Sequence, residues 1–146
     1  MTHKPAVVRA IIALALVALL TSSLACTQAD KPLPVPENVT VERGPYAPDD
    51  NQFGDTLIVS WEQSTDQRVE GYVIFRAEQG IGASPGEKTE YELQALTIAV
   101  QYVDDEVRTT ERYPTMRYFY QVAVISSGGE LGPRSEEVSI EYEGLN

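Results

Sequence analysis

The sequence predicts an all-β fold for residues 34–142, a two-sheet sandwich of about seven short strands. Three observations point there. Short stretches alternate apolar and polar residues with the period of a pleated strand, most clearly "TLIVSW" and "RYFYQVAVI". Segments dense in Gly, Pro, Asp, Asn and Ser separate them. No stretch beyond residue 26 carries the 3.6-residue apolar period of a helix.

The elements follow in order. Thr27–Leu33, "TQADKPL", is a polar tether, and Pro32, Pro34 and Pro36 stiffen the chain into an extended lead-in. Val39 and Val41 then alternate with Thr40 and Glu42 as a first strand. "RGPYAPDDNQFGD", Arg43–Asp55, is a turn-rich loop. Thr56–Trp61 is a strand with Leu57, Val59 and Trp61 on one face. After the loop "EQSTDQR", Glu70–Arg76 is the next strand, and Glu78–Lys88 reads as a flexible connection. Tyr91–Val103 holds one or two strands. Arg117–Ile125 is the most regularly alternating strand, "SSGGELGPRS" is a loop, and Glu137–Tyr142 closes the domain before a tail at 143–146.

A domain of this size without a disulfide needs a substantial core. Trp61, Tyr72, Ile74, Tyr118, Tyr120, Val122, Val124, Val138 and Ile140 can supply one, so most of the eight tyrosines read as structural.

These same residues carry a resemblance. "PENVTV", "LIVSW", "VEGYVIFR", "YVDDEV", "YFYQVAVISSGG" and "GPRSEEV", in that order, resemble a fibronectin type III domain, an immunoglobulin-like sandwich. Trp61 matches the family's core tryptophan on the second strand and Tyr72 its core tyrosine on the third. Tyr118 matches the tyrosine corner, whose hydroxyl ties back to the backbone upstream. The 108–117 connection is longer than usual for the family. The resemblance also implies that the chain enters at the pole bearing "EQSTDQR" and "SSGGELGPRS".

The first 25 residues read as an export signal. Lys4 and Arg9 supply a basic start, Ala10–Leu20 is an unbroken apolar run, and Ser23-Leu24-Ala25 is a small-x-small cleavage site. The run is shorter than the roughly 20 residues a bilayer-spanning helix needs. A retained anchor or a buried helix are the competing readings. Cleavage after Ala25 leaves Cys26, the only cysteine, at the new N-terminus. "SSLAC" resembles the lipobox of bacterial lipoproteins, with Ser23 where leucine is usual. The resemblance implies a lipidated Cys26 that holds the chain on a bilayer, with 26–33 as the tether. Thr27 beside it implies the outer membrane of a Gram-negative envelope. A free thiol or an intermolecular disulfide is the alternative for a lone exported cysteine.

All 22 acidic residues follow Cys26, and two of the 11 basic ones precede it. The mature chain thus sets nine basic against 22 acidic side chains, a formal charge of −13. That charge argues against nucleic acid as a partner. His3, the only histidine, leaves with the signal, so nucleophilic catalysis lacks its usual base and zinc or copper its usual ligands. No cofactor is called for. An acid–base carboxylate pair is the one remaining enzymatic reading.

Asp49, Asp50, Asn51 and Asp55 in one loop, and Asp104, Asp105 and Glu106 in another, raise a weak calcium reading against ordinary turn chemistry. Asn38-Val39-Thr40 has the form of a glycosylation acceptor.

If Tyr72, Ile74, Tyr118, Tyr120 and Val122 point inward, then Val73, Phe75, Phe119, Ala123 and Ile125 point outward from the same sheet. They are expected to form an apolar interaction patch. Ordinary sheet surface, or cover by the 80–96 segment, is the plainer alternative. The sequence thus predicts a non-catalytic binding module in the bacterial envelope, with a protein or cell-surface ligand as partner. A structural accessory subunit of an envelope complex comes second.

Overall fold

The computed structural model describes residues 31–44, 56–82 and 86–143. The chain divides into two units, Met1–Pro32 and Leu33–Asn146, and all the strands belong to the second. The residues expected to form an export signal, Cys26, Asp49, Asp50, Asn51, Asp55 and the last three residues lie outside the described residues.

Among the described residues, eight strands form two antiparallel sheets. β1 (Thr40–Arg43), β2 (Leu57–Ser60) and β5 (Gln101–Asp104) make one, in the order β1-β2-β5. The other holds β4 (Glu92–Thr97), β3 (Val69–Ile81), β6 (Thr115–Ser126), β7 (Leu131–Arg134) and β8 (Val138–Glu143). Its order is β4-β3-β6, with β7 and β8 both on the far side of β6. β7 and β8 are one closing strand broken at residues 135–137. At the break the buried Ser135 takes over the pairing: its N–H donates to the Val122 carbonyl at 2.7 Å, and its Oγ accepts from the Val122 N–H at 3.0 Å. This split is why there are eight strands where about seven are expected.

The core lies between the sheets, and its members come from inward positions of β2, β3 and β6. Leu57, Val59, Ile74, Tyr118, Tyr120, Val122 and Val124 are fully buried, and Trp61 and Tyr72 nearly so. The Trp61 and Tyr72 rings meet at 5.2 Å and 57°, a tilted geometry that aromatic pairs favour. Val138 and Ile140 pack against this cluster while staying partly exposed. The Tyr118 hydroxyl donates to the Arg108 carbonyl at 2.7 Å and accepts the Arg108 N–H at 2.8 Å. It thereby satisfies two backbone groups in the connection that leads into β6.

One polar cluster crosses the interior. Asp104, with no exposure, ends β5 in one sheet. Arg76 of β3 in the other sheet donates from Nη1 to both Asp104 oxygens, at 2.9 and 2.8 Å. The Tyr120 hydroxyl donates to Oδ2 at 2.6 Å and the Glu106 N–H to Oδ1 at 3.1 Å. Burial, then the bond to Asp104, pushes the Tyr120 hydroxyl far above its usual range. Tyr102, beside the same carboxylate, is pushed up to about 12 by burial and by that charge.

The connection after β3 is shorter than the sequence suggests. β3 does not end near Arg76 but runs on to Ile81, where it pairs with Thr115–Arg117 at the start of β6. The expected flexible connection from Glu78 therefore begins as strand. The cause is tertiary: the Tyr113 ring lies over Gly80, so close that a Cβ there would stand 2.2 Å from Tyr113 Cγ. The Gly86 N–H closes the turn by donating to the Gly80 carbonyl at 2.9 Å. Gly80→Ala should cost about 1–3 kcal/mol, the range for overpacking a filled site. Adding Tyr113→Ala should remove most of that penalty, and paired thermal melts check it. Equal melting of Gly80→Ala and the parent would refute the contact.

Candidate functional site

The outer face of the five-stranded sheet divides into a closed half and an open half. The closed half contains most of the expected patch. Val73 is 3%, Phe75 6%, Phe119 7% and Ala123 0% exposed, and only Ile125 stays partly open. The five do share one face, since Val73 pairs with Ala123 and Ile125 with Gly71, but four of them are not surface.

Their cover comes from the 86–91 segment and the closing strand. The Arg134 guanidinium lies 3.7 Å over the Phe75 ring, and Lys88 Nζ lies 4.0 Å over Phe119 and 4.8 Å over Tyr91. Glu137 then locks the cover, pairing with Lys88 and accepting the Tyr91 hydroxyl. Burial alone would raise the Glu137 carboxyl, but the bonds from Lys88 and Tyr91 outweigh it and hold the group below its ordinary range. Burial first, then the bond to Glu137, drives the Tyr91 hydroxyl well up. Cations stacked on ring faces close an apolar surface while keeping their own charges wet.

The open half lies at the other end of the same face. Leu96 of β4 sits beside Val73, and Leu131 of β7 sits beside Ile125. Leu96 is 65% and Leu131 47% exposed, and Ile98, just past β4, reaches 85%. Between them lies a cleft of about 710 Å³, lined among others by Glu70, Gly71, Leu96, Ile98, Ile125 and Ser126. Gly71 gives the cleft its depth: it pairs with Ile125 and places no side chain where its neighbours would. The turn beneath is set by Gly129 at φ +78°, which donates its N–H to the Ser126 carbonyl at 2.9 Å. Beside the cleft, the outer edge of β4 has no strand partner among the described residues.

This cleft lies at the pole where the folded unit begins. Leu33 is 5% exposed, and a Cβ on Gly132 of β7 would stand 3.1 Å from the Leu33 Cβ and 2.6 Å from a Val124 methyl. Asn38 and Glu62 meet at the same end, Nδ2 donating to Oε2 at 2.6 Å. The Asn38-Val39-Thr40 acceptor site is thus exposed at Asn38, with its amide already engaged.

The second acidic cluster does not stay together. Asp104 turns inward to Arg76 while Asp105 and Glu106 stay exposed. Among the described residues no group of His, Cys, Asp or Glu converges on a metal-sized site. Nor, among them, is any helix long and apolar enough to cross a membrane.

Comparison with solved structures settles the fold. The fourth fibronectin type III domain of a human protein superposes with a TM-score of 0.54 at 18% identity, over 84% of this chain and 88% of that one. The fold is that of a fibronectin type III domain. A second such domain, from human fibronectin type III domain containing protein 3, aligns over 82% of this chain and 94% of its own, at 14% identity and a TM-score of 0.48. No family model and no curated protein matches the sequence. A shared fold does not fix a function, which lives in the site.

Leu93, Leu96, Ile98 and Leu131, the open apolar residues, were not legible as a site. The signal available was the run "ELQALTI", whose outward side chains become visible only once β4 is known to be an edge strand.

Proposed function

We propose that this protein is an envelope-anchored lipoprotein whose domain acts as a non-catalytic docking module for a partner in the same envelope. The observation that carries the docking reading is the open apolar cleft of Leu96, Ile98 and Ile125 at the pole where Leu33 begins the fold. Exposed apolar surface of this kind marks interaction sites. The anchor reading rests on the basic start, the apolar run and Cys26. Six residues separate Cys26 from Leu33, seven Cα steps in all, so the pole would stand within about 25 Å of the bilayer. A site held that close favours a membrane-resident partner over an external ligand at the far pole, which makes an accessory subunit of an envelope complex the natural form of the function.

Intact mass tests the anchor. Full-length protein expressed in a Gram-negative host should fractionate with membranes and carry acyl mass on a chain that starts at Cys26. Cys26→Ala should release it to the soluble fraction. A soluble, unmodified chain starting at residue 26 would defeat the lipoprotein reading.

A further inference from the structure

We propose that the free edge of β4 takes up an extended segment of the partner as an added strand, with apolar side chains in the Gly71-floored cleft and basic residues at both ends. This rests on the docking reading above and specifies its partner. An unpaired sheet edge offers a row of backbone donors and acceptors, and strand addition uses them for affinity while side-chain pockets give specificity. β4 supplies six residues of such edge, with Leu93 and Leu96 63% and 65% exposed on its outer face. The bulge in its pairing between Ile74 and Phe75 puts both leucines on that face.

Charge decides the occupant. Glu70 lines the cleft at one end of the edge, and Glu92 begins the strand at the other, next to Glu90. All three are exposed, and their carboxylates make no ion pair with the described residues. A second copy of this chain fits badly. Antiparallel self-pairing centred on Ala95 would set Glu92 of each copy opposite Ile98 of the other, whose neighbour across the cleft is Glu70. Glu92 of each copy would thus stand about 10 Å, two strand spacings, from Glu70 of the other, twice over, on chains that each carry a formal charge of −11. A strand with Lys or Arg at each end meets opposite charges at both places.

The probe is a labelled peptide of alternating valine and threonine with lysine at each end. Its controls are a twin with glutamate ends and a twin with proline at the central position. Binding to the full chain in detergent is read by fluorescence anisotropy. The lysine-ended peptide should bind, at least tenfold tighter than either twin, and weaken as salt rises. Leu96→Asp should weaken it at least tenfold with an unchanged thermal melt, because Leu96 is 65% exposed and outside the core.

Equal binding of the three peptides, binding indifferent to Leu96→Asp, or no binding at about millimolar peptide would each overturn the proposal. So would self-association in sedimentation that Leu96→Asp abolishes, which would make the occupant a second copy. If no peptide binds, yet a stoichiometric envelope partner stays with Leu96→Asp, strand addition falls and the docking module stands elsewhere on the surface.

Discussion

Asp104→Ala should destabilise the domain by about 3–5 kcal/mol, the cost of breaking a buried ion pair from one side. It strands Arg76, whose side chain is only 11% exposed, and leaves the Tyr120 hydroxyl without its acceptor. A domain of this size holds about 5–15 kcal/mol in all, so the loss is a large share. The penalty belongs to the uncompensated charge rather than to the pair. Replacing both partners with apolar residues, Arg76→Met with Asp104→Leu, should therefore recover most of it. Urea denaturation of the three proteins checks the pattern. A single variant within 1 kcal/mol of the parent, on the scale of an exposed pair, would mean that the cluster does not hold the sheets together.

Trp61→Ala should cost about 3–5 kcal/mol, the usual range for removing a buried aromatic ring. Trp61 is 5% exposed and stacks on Tyr72 at the heart of the sandwich. Its indole Nε1 is buried and has no hydrogen-bond partner among the described residues. An unmade bond in a buried site is itself a cost. Trp61→Phe should accordingly be far milder than Trp61→Ala, because it discards an unsatisfied donor while keeping most of the ring packing. Thermal melts of both variants decide this. Equal damage from the two would show that ring size, not the empty donor, sets the cost.

The core was legible because strand periodicity is local. Leu57, Val59 and Trp61 fall on one face by alternation, and so do Tyr118, Tyr120, Val122 and Val124. The patch at Val73, Phe75, Phe119 and Ala123 was half legible. Alternation put the residues on one outward face, but nothing in their spacing reveals Lys88, Tyr91 and Arg134 lying across them. Asp104 looked like one more loop acid, and only the approach of β5 to β3 shows it to be a buried counter-ion.

Sequence alone determined the sandwich, the inward face of each long strand and the acidic balance, and it alone carries the basic start, the apolar run and Cys26 on which the anchor proposal rests. Each of these is written in residues close together along the chain, or in composition. Tertiary structure decided which outward apolar residues are covered, where the free edge lies and which acid pairs with Arg76. Those depend on residues far apart in sequence meeting across or along a sheet, as Lys88 meets Phe119 and Glu137. A strand's own pattern tells which side faces in, but not what lies over the other side.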